Sequence, residues 1–438
     1  MSAPGSYHLV GVAGVGMNGV AQALRGNGHA VSGSDRYADQ GQDLAVIRKL
    51  KRAGIVFKPQ DGSGVTAATT AVIVSTAIEP DNPDIAAAAR HGVPVRHRSE
   101  MLAELAAGRE TVAITGTSGK TTVTGMMGWA LEQLGADPTV VNGGALVNWA
   151  DDERVGNVRM GKSRLFVIEA DESDRSCLRY DPDWAILTNQ SADHFAMDET
   201  RALFEAFRAK VRRGSVAGWD ADMPWQALQP ELSAAGSRFT WRGVEFRLPL
   251  LGRHNAENAL QTAVLCERMG YEPVAIARAL AGFRGIQRRL EHIGVARGVT
   301  VIDEYAHNPA KIEAAWQAVA PFYRRVLGLW RPHGFKPLAQ MFDDMVAMFG
   351  RVCRPQDRLW LLPVYYAGGT VQRQADSDGL VATLQAAGVV AQWVPDYDAL
   401  LAAMLGEVAE GDVALCMGAR DPGIPEFARR LVTRLAEG

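Results

Sequence analysis

Residues 111–129, TVAITGTSGKTTVTGMMGW, constrain the fold more than any other stretch of the chain. Val112, Ala113, Ile114 and Thr115 read as a short buried strand, and residues 123–134 carry apolar side chains at helical spacing. Between them lies Gly116-Thr117-Ser118-Gly119-Lys120-Thr121-Thr122. Its small side chains let successive backbone N–H groups converge on an anion at a helix N-terminus. Lys120 adds a mobile positive charge, and the Thr121 hydroxyl offers a ligand for Mg²⁺. A strand, loop and helix of this kind belong to a mostly parallel α/β sheet that binds a nucleoside triphosphate. Ile114 stands where the first glycine of the usual eight-residue pattern falls, so the match is to a shorter variant. A turn that binds nothing needs no Lys-Thr-Thr after its second glycine.

A length of 438 residues suits two to four domains at roughly 100–200 residues each. With 47% hydrophobic and 22% charged residues, a net charge of -3 and no block of like charge, a nucleic-acid-binding groove is not expected. Cys177, Cys266, Cys353 and Cys416 are far apart and form no C-x-x-C pair, so reduced thiols are expected. The first residues lack a signal-peptide pattern and no apolar run is long enough to span a bilayer, which makes a cytoplasmic protein without membrane partners the default.

A second glycine-rich turn opens the chain. Residues 7–12 read as a strand, GVAGVGMNG at 11–19 as the turn, then a helix to about 25 and a strand over 29–33 that runs into Asp35. Gly14, Gly16 and Gly19 satisfy G-x-G-x-x-G, and Asp35 falls about where an acidic side chain reaches a ribose hydroxyl. Such a turn recognises a diphosphate, so NAD and a UDP-sugar are both open. An NAD-dependent oxidoreductase explains these residues but gives residues 116–122 no use. Further alternation at 71–75, 84–91 and 93–95 makes a Rossmann-like domain over 1–108.

Downstream of the triphosphate loop, residues 135–148 are rich in Gly and Asn and read as a loop facing the ligand. Residues 165–168 read as a buried parallel strand that delivers Glu169, Asp171, Glu172 and Asp174. A solvated acidic loop is the plain alternative; its place after a buried strand beside the triphosphate loop favours metal or phosphate chemistry. A strand over 184–187 delivers Thr188, Asn189, Asp193 and His194, and His194, across adjacent strands from Glu169, is expected to hold a second Mg²⁺. GRHNAEN at 252–258 opens a helix to about 269, with Asn255 and Asn258 on one face where amides can meet a purine edge. A basic segment, 283–289, precedes a boundary near Glu291, giving a central domain over 109–290 and a last α/β domain over 291–438. In that domain the strand 299–302 feeds DEYAHNP, a helix follows over 311–320 and a strand over 325–329, and strands at 359–362 and 413–417 lead into polar loops at 363–369 and 418–421.

GVAGVGMNG with SGSD, VSTAIEPDNP, TGTSGKTT, EADESD, TNQSADH, GRHNAENAL and DEYAHNP, in this order, resemble the Mur ligase family over nearly the whole chain. Within it they are most similar to the branch that couples L-alanine to UDP-N-acetylmuramate. The resemblance implies an ATP-dependent amide ligase of three domains: an N-terminal Rossmann-like UDP-sugar domain, a central P-loop ATPase, and a C-terminal Rossmann-like α/β domain that closes over the amino acid. It implies ATP bound by residues 116–122 (Gly116, Thr117, Ser118, Gly119, Lys120, Thr121, Thr122), adenine held by Asn255 and Asn258, nucleotide phosphate met by Arg288 or Arg289, and ATP met by Asp303. Thr121 and Glu169 hold Mg²⁺ and His194 the second ion; Lys120, His194 and His307 serve catalysis; Tyr305 and His307 face the junction of ATP and amine. Gly14, Val15, Gly16, Met17, Asp35, Ser75, Thr76, Tyr305 and His333 take the substrates, in a monomer or homodimer. Gly334 and Pro337 stand where that branch has two arginines, Lys336 lies between them, Pro363 replaces an aspartate and Asn308 a histidine, so a peptide or another amino acid is the alternative amine. Lys210 is a remote candidate for a metal-bridging carbamylated lysine.

Overall fold

Short apolar runs such as AVIV at 71–74, VAI at 112–114, LFVI at 165–168 and VAL at 413–415, buried on both faces, lie in the inner strands of the large sheets, which is the pattern parallel sheets require. The computed structural model describes residues 4–191, 195–225, 228–365 and 376–437. The chain divides into one unit of Met1–Gln229, Thr240–Arg247 and Glu257–Gly285, and another of Pro230–Phe239, Leu248–Ala256 and Ile286–Gly438.

The first unit holds two sheets. Strands β1 (Ser6–Val10), β2 (Ala30–Ser34), β3 (Val56–Phe57), β4 (Ala71–Val74) and β5 (Val95–His97) form an all-parallel sheet in the order β3-β2-β1-β4-β5. The order reverses direction between β1 and β4, so the loops leaving those two strands part and open a crevice at the carboxyl edge. The second sheet contains β6 (Glu110–Thr115), β7 (Thr139–Val141), β8 (Val158–Arg159), β9 (Leu165–Glu169), β10 (Trp184–Leu187) and β11 (Gly214–Ala217). Its order is β11-β10-β6-β9-β7-β8, and only β7 with β8 is antiparallel. Two expectations change here. The stretch 135–148 is not all loop, because Thr139, Val140 and Val141 are buried and pair with β9. And the strands carrying Glu169 and leading to His194 are not neighbours: β6 lies between them, pairing Ala113 with Ile168 on one side and with Ala185 on the other. The triphosphate loop therefore leaves the sheet midway between its two flanking acidic and polar loops. Leu9, Val20, Leu24 and Met101 of the first sheet's layer share one apolar core cluster with Val141, Phe166, Ile168 and Phe204 of the second.

Strands β12 (Glu231–Ser233) and β13 (Gly236–Trp241) pair antiparallel, and β14 (Val244–Leu248) follows. Strands β15 (Glu291–Ala296), β16 (Val299–Glu304), β17 (Val326–Trp330), β18 (Arg358–Leu361), β19 (Ala391–Trp393) and β20 (Val413–Met417) form a sheet in the order β15-β16-β20-β17-β18-β19. Only the edge strand β15 is antiparallel. Among the described residues no helix is long and apolar enough to cross a membrane.

The helix Pro309–Val319 seats Trp316, which is fully buried, against β17. The slot exists because Gly328 has no side chain; a Cβ there would lie 2.5 Å from the indole ring. Trp316→Ala is expected to destabilise the second unit by about 3–5 kcal/mol. A urea titration reporting that unit checks this, and a loss below about 1 kcal/mol would show the slot to be loosely packed.

Candidate active site

The loop after β6 is shaped by two glycines that no other residue can replace without rearrangement. Gly116 has φ 132°, and a Cβ on it would stand 2.0 Å from Thr188 Oγ1; Gly119 has φ 85° and caps the helix Lys120–Gln133 with no side-chain oxygen. The N–H groups of Lys120, Thr121 and Thr122 in the first turn thus have no intrahelical acceptor and no cap, the arrangement that receives a phosphate. The loop is pinned from the β10 side. Ser118 N–H donates to Asn189 Oδ1 (2.9 Å), Asn189 Nδ2 and Thr188 Oγ1 both donate to Ser118 O (3.0 and 2.6 Å), and Ser191 N–H donates to Thr117 Oγ1 (3.0 Å).

From the other side, the segment after β9 supplies the carboxylates. Lys120 Nζ lies 2.6 Å from Glu172 Oε2, whose residue is 2% exposed, and donates to Gly116 O at 2.8 Å. Thr121 Oγ1 donates to Glu169 Oε1 (3.1 Å), and Glu169 Oε2 accepts the Gly143 N–H (2.9 Å). Burial pushes the Glu169 pKa up, opposed by Lys120, the Gly143 N–H and the Thr121 hydroxyl; burial likewise raises Glu172 against the pull of Lys120. Thr121 and Glu169 give a hydroxyl and a carboxylate oxygen side by side, a hard donor pair of the kind Mg²⁺ takes while keeping several waters. His194 and Asp193, and residues 366–369 of the loop after β18, lie outside the described residues. Lys210 does not approach Glu169: its ammonium donates to Leu178 O and pairs with Asp181 at 3.0 Å, both before the start of β10, so no metal-bridging role falls to it. Asn258 faces the loop, its Oδ1 3.1 Å from where a Gly119 Cβ would be.

At the carboxyl edge of the first sheet, Gly14 caps the helix Val15–Gly26, again without a side-chain oxygen, and the N–H groups of Val15, Gly16 and Met17 begin it. Ser75 and Thr76 follow the neighbouring strand β4. Asp35 does not stand free toward a ribose. It is 4% exposed, its Oδ2 accepts the Ala13 N–H (2.9 Å) and its Oδ1 the Tyr37 N–H (3.0 Å), so it braces the glycine turn from below. Burial, the largest influence, pushes its pKa up. Gly19 allows the helix to approach Val141 and Asn157, and Asn157 Nδ2 donates to Asn18 Oδ1 at 2.7 Å.

In the second unit, β16 delivers Asp303 and Glu304, both buried. Arg288 Nε is 3.4 Å from Asp303 Oδ2, so two residues expected to meet ATP separately form a pair. The same guanidinium donates to Gly418 O (2.5 Å) and Ala419 O (2.6 Å). Burial carries the Asp303 pKa up to about 7 against the attraction of Arg288. Arg288 and Arg289 each stack over the Tyr305 ring at 5.1 Å. His307 Nδ1 lies 3.1 Å from Tyr305 O, and a carbonyl only accepts; Nδ1 carries the proton and Nε2 is left as an acceptor. Its ring meets that of His333 edge-on at 5.3 Å, and burial pushes the His307 pKa down to about 4. His333 Nδ1 is buried without a partner. Asn255, buried, donates to Leu251 O at 2.8 Å. Asn308 caps the helix Pro309–Val319 through the Lys311 N–H, a structural use for the residue that replaces a histidine.

Two participants escape sequence reading. The Gly143 N–H on Glu169 comes from a glycine-rich stretch with no motif of its own. Arg98, next to Gly16 and 3.3 Å from Asp171, begins a helix about eighty residues from the first and seventy from the second, and no spacing rule joins them.

Three family models match in chain order: Mur ligase family, catalytic domain, over residues 6–110; Mur ligase middle domain over 114–212; and Mur ligase, glutamate ligase domain, over 288–420. The UDP-N-acetylmuramate–L-alanine ligase of Methylobacterium nodulans is 34% identical over 99% of this chain and 97% of its own length. That of Sinorhizobium fredii is 33% identical over 99% and 98%. The crystal structure of UDP-N-acetylmuramate-alanine ligase from Thermotoga maritima superposes with a TM-score of 0.80 at 26% identity, covering 99% of both chains. With every module matched in sequence and in fold, the chain belongs to the Mur ligase family of ligases.

Proposed function

We propose that the protein couples L-alanine to the lactyl carboxylate of UDP-N-acetylmuramate in the cytoplasm, at the expense of ATP. The observation that carries this reading is the placement of Lys120 and Thr121 of one glycine-opened helix against Glu172 and Glu169 of one neighbouring loop. The N-terminal domain, 1–108, takes the sugar nucleotide; the central domain, 109–290, takes ATP; the last, 291–438, takes the amine.

A carboxylate resists attack by an amine, so the γ-phosphoryl group of ATP is first moved onto it, giving an acyl phosphate. Transfer of this kind is mostly positioning and charge neutralisation. The N–H groups of residues 120–122 and the ammonium of Lys120 face the phosphates, with Lys120 exchanging Glu172 and the Gly116 carbonyl for phosphate oxygens. Thr121 and Glu169 would hold Mg²⁺, which would neutralise phosphate charge. The amine then attacks the acyl carbon and phosphate leaves. His307, neutral at physiological pH with Nε2 unprotonated, accepts an N–H of the incoming amine and orients its lone pair. A base with so low a pKa holds the amine in place better than it removes a proton. Gly334, Pro337, Pro363 and Asn308, at positions where the alanine-adding branch carries charged or imidazole side chains, favour a second reading in which a different amino acid or a peptide is the amine.

Incubation with ATP, Mg²⁺, UDP-N-acetylmuramate and single amines, followed by phosphate release and product mass, is expected to give the alanyl adduct. Turnover that needs no UDP-sugar overturns the first reading, and an adduct formed only with another amine selects the second. Lys120→Ala is expected to lower kcat by about a hundredfold or more, with sugar-nucleotide binding retained. For His307, the folded pKa of about 4 lies below the ordinary 6.5. Its contribution to stability is therefore complete above the ordinary value and is lost as pH falls through the folded one. Its imidazole resonances should show no titration between about pH 5.5 and 8.

A further inference from the structure

Arg98 opens the helix Arg98–Ala106 after β5, at the same carboxyl edge as the glycine turn after β1. Its guanidinium occupies the space a side chain at position 16 would fill: a Cβ on Gly16 would lie 2.7 Å from Arg98 Nη1 and 3.3 Å from Cζ. Gly16 is thus needed for the approach of an arginine as well as for the turn. Val15 and Gly16 present first-turn N–H groups at that spot, which favour an anion. The arginine's other terminal nitrogen, Nη2, lies 3.3 Å from Asp171 Oδ2.

We infer that Arg98 binds the diphosphate of the sugar nucleotide, and that Asp171 is the counter-charge it leaves to do so. The inference rests on the reading of the N-terminal turn as the sugar-nucleotide site and adds a cation to it. The exchange is inexpensive for two reasons. A separation of 3.3 Å is longer than the ~2.7–2.9 Å of a well-formed charge-assisted bond, and a phosphate offers the planar guanidinium two oxygens at once. Asp171 also stays satisfied when Arg98 turns away, because its Oδ1 accepts both the Ser173 N–H (3.0 Å) and the Ser173 hydroxyl (2.8 Å). Asp171 belongs to the same short segment whose Glu169 and Glu172 meet Thr121 and Lys120. One acidic loop therefore holds a cation for each of the two phosphate-binding turns.

Calorimetric titration of the full chain with UDP-N-acetylmuramate, and separately with ATP, tests this. Arg98→Ala is expected to weaken the sugar nucleotide by roughly ten- to a hundredfold, the range for a hydrogen bond to a charged group, and to leave ATP binding unchanged. Arg98→Lys should recover part of the loss, and Asp171→Asn, which removes the competing carboxylate, should tighten the sugar nucleotide. Equal affinity of wild type and both Arg98 variants for UDP-N-acetylmuramate overturns the inference. Weakening of both ligands together, with a lowered Tm, overturns it too and makes Arg98 a staple between the turn and the acidic loop. Failure of the wild-type protein to bind UDP-N-acetylmuramate overturns instead the reading on which the inference rests.

Discussion

Lys120 and Glu172 form an ion pair that is almost closed to water, and the chemistry of the central sheet depends on it. Such a pair contributes little net stability, because desolvating two charges offsets most of their attraction, yet removing one partner leaves a buried charge that costs about 3–5 kcal/mol. Its use is positional. An unpaired ammonium on a flexible four-carbon stem samples many directions; held by Glu172 and the Gly116 carbonyl, it stays folded over the loop that opens the helix Lys120–Gln133. Glu169, the last residue of β9, fixes the Thr121 hydroxyl in the same manner.

That two carboxylates can do this follows from the strand order. In a parallel sheet every strand ends at the same edge, and β6, between β9 and β10, sends its loop out with a polar loop on each side. The β10 side contributes neutral groups, Thr188, Asn189 and Ser191, which set the backbone path of residues 117 and 118. The β9 side contributes charge. The two tasks, shaping the backbone and supplying charge, thus fall to different sides of the loop. Burial raises the pKa of Glu169 and of Glu172 against the pull of Lys120.

Local grammar carried much of this into the sequence. The strand before Gly116, the helix after Gly119, the acidic delivery after β9 and the strand Trp184–Leu187 were all legible, because buried parallel strands are continuous apolar runs and glycine turns have few uses. What resisted reading was non-local. Asp35 has the spacing of a ribose ligand, and only the fold shows both its oxygens consumed by backbone N–H groups. The short strand β7 hides in a Gly- and Asn-rich stretch because three β-branched residues suffice when a neighbour is already in place. Edge strand β15 runs antiparallel through EHIGVA, whose mixed polarity gives a weak periodic signal. The partners of Arg98 lie in two other elements and leave no trace in spacing.

The carboxyl edge of the third sheet shows how substituted residues change the physics of a site even where the backbone is kept. Directly after β17 the chain places Arg331. Its Nη1 donates to Asp421 Oδ2 at 2.5 Å and its Nε to Pro363 O at 3.0 Å, while the rings of Tyr365 and Tyr397 stand 5.3 and 5.6 Å from the guanidinium. Tyr397 donates its hydroxyl to the same Asp421 oxygen. A guanidinium so neutralised exerts little field beyond its own contacts, whereas two unpaired arginines attract anions over about a Debye length of ~8–10 Å. The groups left available at this edge are short-range ones: the Nε2 of His307, the unpartnered Nδ1 of His333 beside it, and the tyrosine rings. Short-range groups read shape and hydrogen-bonding pattern more than charge.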